Sequence, residues 1–298
     1  MDLSRPPSGL ADGVLRAVSY ADVFDWPLTV DEVHRFLPVV ASPADIDAAL
    51  RSAELAARVD TSGAFVHLRG RADNVARRCE REANAIEQWP DALRFARAVA
   101  AVPGARFVGV TGSLAAGAPT RDADVDLFII TIDGRLWLTR AMVIVVVRWA
   151  RRHGVTLCPN FIVAETALAL DQHDAFTAHE LMQLVPLHGS DAYQQLLARN
   201  GWYRDHLPNH PGHDSVAPLP GRRVRPIVER LLRMRIFSPI ERWEMRRKTA
   251  RLTRSSLDPA RSEVHFDATM CKGHFEGHRQ RVLDEYEQRM AMMHEMAP

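Results

Sequence analysis

Apolar positions in the first 70 residues follow two different spacings, one after the other. In residues 9–20, 29–37 and 44–57, apolar side chains recur three or four positions apart, which is typical of amphipathic helices. Two short runs of strand-like residues follow at 57–60 and 64–68, joined by a turn-rich segment. The pattern therefore predicts three helices followed by a β-hairpin.

The starts of two of these helices carry N-cap residues. Thr29 followed by Glu32 has the form of a capping box, and Ser42 precedes Pro43 at a first helical position. Three helices followed by a hairpin is also the order of elements in a winged helix. Residues 1–70 therefore resemble a winged-helix domain, a type that in many proteins contacts DNA.

The charge of the third helix bears on whether this region binds DNA. The helix carries Asp45, Asp47 and Glu54 against the single basic residue Arg51. A helix that approaches phosphates is normally basic. DNA binding by the N-terminal domain stays open but is not favoured, and a packing or protein-contact role is the preferred interpretation.

From residue 71 onward the pattern changes to a charged helical stretch and then to strands that alternate with helices. Residues 71–90 predict a linking helix, and the apolar runs beyond it suit strands of a covered sheet. The segment 91–170 therefore predicts an α/β (α+β) core with a small mixed sheet. Its elements are a helix over 91–101, strands over 106–111, 124–132 and 155–164, and a helix over 136–152 that Gly154 closes.

Residues 171–298 predict a helical C-terminal region, interrupted by a loop over 206–220 that is rich in proline, glycine and histidine. The segment 221–254 carries twelve basic residues against three glutamates. It suits either a phosphate or nucleic-acid surface or a solvated helix face that wraps acidic parts of the same molecule. The helices are expected over 175–185, 192–200, 225–254 and 273–293.

Composition narrows the class of protein. With 298 residues, of which 47% are hydrophobic and 25% charged, the chain has room for two packed domains. Its three cysteines lie far apart, which argues against a disulfide framework. The most apolar stretch, 141–147, is far shorter than the roughly 20 residues that span a bilayer, and the N-terminus lacks a signal pattern. We therefore expect a cytoplasmic protein without membrane association.

Candidate chemistry lies in the first two strands of the predicted core. Gly112 and Ser113 follow the first strand, where a turn supplies free amides and a hydroxyl that can grip a phosphate. Asp124 and Asp126 are two positions apart, so both project from one face of the second strand. Adjacent carboxylates repel each other unless a cation lies between them, and Mg²⁺ suits such oxygen ligands.

The order of these residues resembles that of DNA polymerase β-type nucleotidyltransferases. The shared features are an apolar strand, a Gly-Ser pair, here ten intervening residues, and Asp-x-Asp in a second strand. The resemblance implies that Thr111, Gly112 and Ser113 hold the phosphates of a nucleoside triphosphate, with ATP as the default. It also implies that Asp124 and Asp126 bind Mg²⁺ or Mn²⁺. The reaction would transfer a nucleoside monophosphate to an acceptor hydroxyl or amine and release pyrophosphate.

The sequence departs from the family where a third carboxylate normally lies on a later strand. The centre of that strand holds Asn160, which ligates metal weakly and cannot serve as a base. Glu165, at the end of the strand, is narrowly favoured, provided that a bulge or strand exit brings it round. Glu180 on the following helix is a further candidate. If none serves, the domain binds nucleotide without turning it over, or a substrate group acts as the base.

Weaker signals lie near the C-terminus. In related folds a basic residue from a C-terminal helix commonly reaches the triphosphate, and Lys272 is one of only two lysines in the chain. The spacing of Cys271, His274 and His278 would allow them to meet on one helix and bind zinc, although ordinary surface positions are the preferred interpretation.

The acceptor stays open between a small molecule, a tRNA and a protein, and the basic C-terminal stretch favours tRNA. A toxin-type nucleotidyltransferase acting on tRNA or protein is one alternative function. A nucleotide-binding regulator and a partner-binding scaffold without chemistry are the other two.

Overall fold

Residues 7–68 form short helices around a three-stranded antiparallel sheet in the order β1-β3-β2. The computed structural model describes residues 7–213, 225–255, 265–273 and 277–295. The predicted order of helices followed by a hairpin is confirmed, and β1 is an additional short strand. The elements are α1 Leu10–Asp22, β1 Leu28–Thr29, α2 Val30–Arg35, α3 Pro43–Leu50, α4 Ala53–Ala56, β2 Val59–Ser62 and β3 Phe65–Leu68.

N-cap residues set the boundaries of these short helices. The predicted capping box at Thr29 and the N-cap at Ser42 are both confirmed. The single helix predicted over 44–57 is wrong, because the chain forms α3 and α4 there instead. Ser52 lies between them and accepts a hydrogen bond from the amide of Leu55, so a new helix begins after it.

One long helix, α5 (Asn74–Ala100), connects the N-terminal region to the core. The sequence predicted a linking helix over 71–90 and a separate helix over 91–101. A proline inside a helix lacks the N–H for one backbone hydrogen bond. The division into two helices is wrong, since Pro90 lies inside the continuous helix. The tertiary packing on both sides of Pro90, where Ala85 and Phe95 are buried in the core, offsets the lost hydrogen bond.

The rest of the chain is organised around a mixed sheet of six strands in the order β7-β4-β5-β6-β9-β8. Strands β5 and β6 are parallel, and every other neighbouring pair is antiparallel. The central elements are β4 Ala105–Thr111, α6 Gly112–Ala115, β5 Val125–Thr131, α7 Leu136–Arg151, β6 Leu157–Ala164 and α8 Ala175–Gln183. The later elements are β7 Val185–His188, α9 Ser190–Arg199, α10 Tyr203–His206, α11 Arg225–Leu232, α12 Ser238–Ser255, β8 His265–Phe266, β9 Met270–Lys272 and α13 His278–Glu295.

Helices cover both faces of this sheet. Leu127 and Ile129 of β5 pack with α5 and α7 on one face, and Phe128 and Ile130 pack with α8 and α9 on the other. Side chains alternate along a strand, so Asp126 belongs to the same face as Phe128. The helix that covers this face is α8, and it therefore supplies the neighbours of Asp126.

The sequence predicted a helical C-terminal region. That prediction is only partly right, because the region also contributes three strands to the sheet. The helix predicted over 175–185 ends at Gln183, and the next residues form the edge strand β7. The helix predicted from residue 273 begins at His278, so Lys272 lies on a strand. These strands have two to four residues, too few for an alternating pattern to be recognised. Part of the loop predicted over 206–220 lies outside the described residues.

Helix α13 returns to the N-terminal region and completes its core. Val282, Tyr286 and Met290 are buried against residues of α1 and its neighbours. Arg289 pairs with the buried carboxylate of Asp22 at 2.6 Å. The N-terminal core is therefore built from both ends of the chain.

Within residues 227–250 of the basic segment, the glutamates are buried and the arginines are exposed. Glu229, Glu241 and Glu244 are all buried. Glu241 accepts hydrogen bonds from the amides of Trp137 and Leu138 at the start of α7, where a carboxylate stabilises a helix N-terminus. The exposed basic residues of α11, α12 and the turn between them include Arg230, Arg233, Arg235, Arg242, Arg246 and Arg247. No helix in the described part of the chain is long and apolar enough to cross a membrane.

Candidate functional site

The predicted phosphate-binding turn and the aspartates meet at one end of the six-stranded sheet. Thr111, the last residue of β4, lies opposite Asp126 in the antiparallel register. Gly112 and Ser113 follow directly in α6, and Asp124 immediately precedes β5. The strand pairing therefore brings the two motif halves together, as the sequence predicted. Because this edge is the candidate active site, we call it the catalytic end of the sheet.

Gly112 is required by the closeness of Asp126. A Cβ atom added to Gly112 would lie 2.3 Å from Oδ2 of Asp126, far inside van der Waals contact. Gly112 also has a φ of 68°, in the left-handed region that residues with side chains avoid. Two independent constraints thus select glycine at this position, and both come from the turn that carries Ser113 past the carboxylate.

Asp126 lies among other acidic groups. In the described part of the chain, no arginine forms an ion pair with it. Burial, together with the charges of Glu180 and Asp124, raises the pKa of Asp126 to about 7. Burial likewise raises the pKa of Glu180, which is only partly offset by a hydrogen bond from the Thr111 hydroxyl and by the charge of Lys272. Thr111 Oγ1 donates to Glu180 Oε2 at 3.4 Å.

Asn160 reaches the catalytic end because β6 contains a β-bulge. Between the pairs Asp126–Cys158 and Phe128–Phe161, β6 has one residue more than β5, and such bulges re-aim side chains. Asn160 Nδ2 donates to Asp126 Oδ1. The Cys158 thiol donates to Asn160 Oδ1 at 2.8 Å, and burial raises the pKa of Cys158 to about 12, so the thiol keeps its proton.

Glu165, which the sequence narrowly favoured as the third carboxylate, lies at the opposite end of the sheet. Its amide donates to the carbonyl of Thr131, at the far end of β5 from Asp126. Its carboxylate is 3.5 Å from Arg106 and 3.5 Å from Arg233. The bulge that the argument for Glu165 required is present, but it lies upstream, where it redirects Asn160 instead. The structure brings Glu180 to the aspartates and does not bring Glu165.

Lys272 lies beside the site although it is on β9 and not on a helix. The amide of Gly273, the next residue, donates to the carbonyl of Asn160 at 3.0 Å. The Lys272 ammonium is 5.9 Å from the ring centroid of Phe161, and its charge lowers the pKa of Glu180. Lys272 therefore places a positive charge near Glu180, on a strand and not on the C-terminal helix that the sequence analysis considered.

The zinc site that the C-terminal spacing allowed receives no support. Cys271 is buried in the core on the α5 and α7 face of the sheet, and His274 lies outside the described residues. Across the ranges that the structure describes, no three His, Cys, Asp or Glu side chains converge closely enough to hold a metal ion on their own.

Two cavities flank Glu180, whose side chain lines both. The larger cavity, of about 720 Å³, lies between the N-terminal region, α5, α6 and α8. The smaller cavity, of about 320 Å³, lies between the ends of β4 and β6, α8 and β9. Gly112 and Ser113 line the larger cavity, and Thr111, Asn160 and Lys272 line the smaller.

Sequence reasoning missed two features of the site. The role of Cys158 depends on a bulge that no residue pattern in β6 announces. The N-terminal wall of the larger cavity, which includes Trp26 and Arg78, depends on how α5 positions two regions that are distant in sequence. Comparison with known proteins gives no match, neither to a protein-family model nor to a curated protein nor to a solved structure.

Proposed function

We propose that the chain is a divalent-metal-dependent nucleotidyltransferase that transfers a nucleoside monophosphate from a nucleoside triphosphate to an acceptor. The observation that carries the proposal is the approach of Gly112 to Asp126, with Glu180 beside them. It joins a glycine-serine turn to a buried carboxylate at the same sheet edge, in the order that the sequence resemblance implies. Glu180 takes the place of Glu165 as the third carboxylate.

The donor set suits Mg²⁺ or Mn²⁺ better than zinc. Burial and the charges of Glu180 and Asp124 raise the pKa of Asp126, as expected where carboxylates lie close together without a bound cation. Mg²⁺ is typically held by one or two carboxylates together with substrate phosphates, so a complete ring of protein ligands is not needed. Asp124 and Asp126 would hold the ion, which would neutralise charge on the phosphate oxygens when bound.

The residues around this pair have distinct proposed roles. The Gly112 backbone and the Ser113 hydroxyl bind the terminal phosphates, and Asn160 holds the Asp126 carboxylate in place. The acceptor oxygen or nitrogen forms a bond to the α-phosphorus, and the bond from that phosphorus to the bridging oxygen of pyrophosphate breaks. The acceptor proton passes to Glu180, because a carboxylate with a raised pKa is a better base near neutral pH.

The test is to follow two labels through the same reaction. Purified protein is incubated with Mg²⁺, cell extract and ATP, CTP, GTP or UTP carrying ³²P at the α or the γ position. Small-molecule, RNA and protein fractions are then separated. We expect α label in one fraction and γ label only in pyrophosphate, and we expect Asp126→Asn to abolish the transfer.

Each other result has a defined meaning. Incorporation of γ label would identify phosphoryl transfer and would reject the proposal. The fraction that takes the α label distinguishes a small-molecule acceptor from the tRNA or protein acceptor of a toxin-type enzyme. Label in RNA would also connect the exposed arginines of α11 and α12 to the acceptor.

A nucleotide-binding regulator is the second candidate, and Asn160 is the observation that favours it. Asn160 contacts Asp126 where a carboxylate would otherwise complete the acidic cluster, and its amide cannot accept a proton. In that case the protein binds a nucleoside triphosphate with Mg²⁺ but transfers no label, and Asn160→Asp is the variant that would create turnover.

A further inference from the structure

The two cavities beside Glu180 differ in size and in the chemistry of their walls. The larger has the volume of a typical site for a drug-sized ligand, within the range of about 300–1,000 Å³. The smaller is at the lower end of that range. A transferase needs one site for its nucleotide and another for its acceptor, and both must meet where the bond is exchanged.

One end of the larger cavity belongs to the phosphates under the proposed function. Gly112, Ser113 and Glu180 line that end, next to Asp126. The triphosphate of a bound nucleotide would therefore lie there, and the nucleoside must continue either along this cavity or away from it.

The rest of the larger cavity is lined by aromatic rings and uncharged polar groups as well as charged ones. The aromatic side chains come from both sides of the cavity and include Phe24, Trp26, Phe36 and Phe176. Gln183, the last residue of α8, adds an amide that can both donate and accept hydrogen bonds. Flat apolar surfaces for stacking and an amide for the base edge are what an aromatic heterocycle requires.

Trp26 is held rigidly in this wall. The guanidinium carbon of Arg78 lies 4.4 Å from the Trp26 ring centroid, and Arg78 is itself fixed by ion pairs with Glu32 and Glu82. Gly117 also lies close to Trp26, since a Cβ built on Gly117 would be 3.8 Å from the Trp26 ring. A side chain fixed before binding loses little entropy on contact with a ligand.

The N-terminal wall of the larger cavity also packs against α8. The ring of His179 stacks on Tyr20 with a centroid distance of 3.8 Å, and on Phe36 at 5.3 Å. The N-terminal region thus packs directly against the helix that carries Glu180. The N-terminal region can therefore form part of the site, and this role does not require it to contact DNA.

We infer that the larger cavity binds the nucleoside of the nucleoside triphosphate, with the N-terminal region as its outer wall, and that the smaller cavity receives the acceptor. This inference rests on the proposed function. The N-terminal region is then the part of the chain that selects the base. The acceptor approaches Glu180 from the side of Asn160 and Lys272, and it presents a small group that enters a cavity of about 320 Å³.

Two glutamines allow a matched test, because one lines each cavity. Gln183→Phe adds the same bulk to the larger cavity that Gln172→Phe adds to the smaller. Binding of Mg²⁺ with ATP, CTP, GTP and UTP is measured by titration calorimetry for both variants and the natural protein. Inorganic tripolyphosphate serves as a probe of the phosphate end alone, and Tm reports folding.

We expect Gln183→Phe to weaken nucleotide binding at least tenfold and to change tripolyphosphate binding by less than twofold. Gln172→Phe should leave both affinities within twofold and should lower the transfer of α label from nucleotide to extract. Trp26→Leu tests the N-terminal wall separately and should weaken nucleotide but not tripolyphosphate binding. It also serves if Gln183→Phe fails to fold.

The opposite result for the two glutamines, with Gln172→Phe weakening nucleotide binding, would overturn the assignment of the cavities. Unchanged nucleotide binding in Gln183→Phe and Trp26→Leu would place the nucleoside outside the larger cavity. Absence of nucleotide binding by the natural protein would instead reject the proposed function itself, so the two failures are distinguishable.

Discussion

Carboxylates at the two ends of the six-stranded sheet have neighbours of different charge. At the far end, Glu165 lies 3.5 Å from Arg106 and from Arg233, and Glu229 lies 3.2 Å from Arg106. At the catalytic end, Asp126 contacts the neutral Asn160, and the nearby charges of Glu180 and Asp124 are of its own sign. The two ends are about 17 Å apart along β4.

This difference separates stability from function. Paired carboxylates at the far end are compensated before any ligand arrives, so they serve to hold α11 against the sheet. An uncompensated carboxylate destabilises the folded state, because a raised pKa means that ionisation costs more free energy in the fold than in the unfolded chain. Such a cost is typical of sites that await a cation or a proton.

The largest effect is expected from the carboxylates of the catalytic end. Asp126→Asn should lower transfer of α label by about 10³-fold or more, since loss of several kcal/mol of charge stabilisation corresponds to that factor. Glu180→Gln should lower it by about 10²–10⁴-fold, the range for a general base. Without metal, both variants should unfold at the same or a higher Tm, because a destabilising charge has been removed. A falling Tm together with lost activity would point to a structural role instead.

The next effect concerns the turn that carries Ser113. Gly112→Ala should lower activity and also stability, because the new Cβ would displace the Asp126 carboxylate. Gly134→Ala is the matched control, since Gly134 has nearly the same φ, 66°, and open space around its Cβ position. Both substitutions should cost about 1–2 kcal/mol for the left-handed backbone. Only Gly112→Ala should lose transfer of α label, and equal activity in the two variants would contradict the role of the contact.

The candidate site shows which features could be predicted from the sequence and which could not. The Gly-Ser pair and Asp124-x-Asp126 could be recognised because their chemistry is local and their spacing fixes their strands. The choice between Glu165 and Glu180 could not be made, because it depends on which helix covers the face of β5 that carries Asp126. Asn160 was recognised as unusual, but its contact with Asp126 requires the bulge after Cys158.

The fold likewise combines features that depend on neighbouring residues with features that depend on residues far away in sequence. The capping box at Thr29 and the N-cap at Ser42 are local features, and both were predicted correctly. Two separate helices were expected on either side of residue 90, but the packing of α5 against both the N-terminal region and the core outweighs the backbone hydrogen bond that Pro90 lacks. Strands β7, β8 and β9 pair with segments far away in sequence, and their few residues carry no periodicity of their own.

A smaller effect is expected from His210, because burial lowers the pKa of a histidine whereas it raises the pKa of a carboxyl group. Burial lowers the pKa of His210 to about 3, helped by the charges of Arg35, His213 and His179. The amide of Gly212 donates to Nδ1 of His210 at 3.0 Å, which requires that nitrogen to be unprotonated. The folded pKa is below the unfolded one, so stability is full above about pH 6.5 and falls as the pH is lowered.

His210→Asn tests this effect, because an amide oxygen can accept the Gly212 hydrogen bond without titrating. Chemical denaturation at pH 7.5 and pH 5 gives the loss of unfolding free energy for each protein. The loss should be about 2 kcal/mol greater in the natural protein, since the carboxylates contribute equally to both. Equal losses would mean that His210 gains a proton in the folded state as easily as in the unfolded chain.

The smallest effect is expected at the far end of the sheet, where the sequence had placed the favoured third carboxylate. Glu165→Gln removes a charge whose side chain is 31% exposed and whose arginine partners are 35% and 49% exposed. Ion pairs with that much solvent contact contribute at most about 1 kcal/mol, and the new amide can still accept the hydrogen bond from the Asp133 amide. Transfer of α label should be unchanged within twofold, and the small loss of stability should diminish in high salt because the pair is screened. If Glu165→Gln instead abolished transfer while Glu180→Gln did not, the catalytic base would lie at the end of the sheet where Glu165 and Glu229 are already paired with arginines. The link between uncompensated charge and function would then be wrong for this protein.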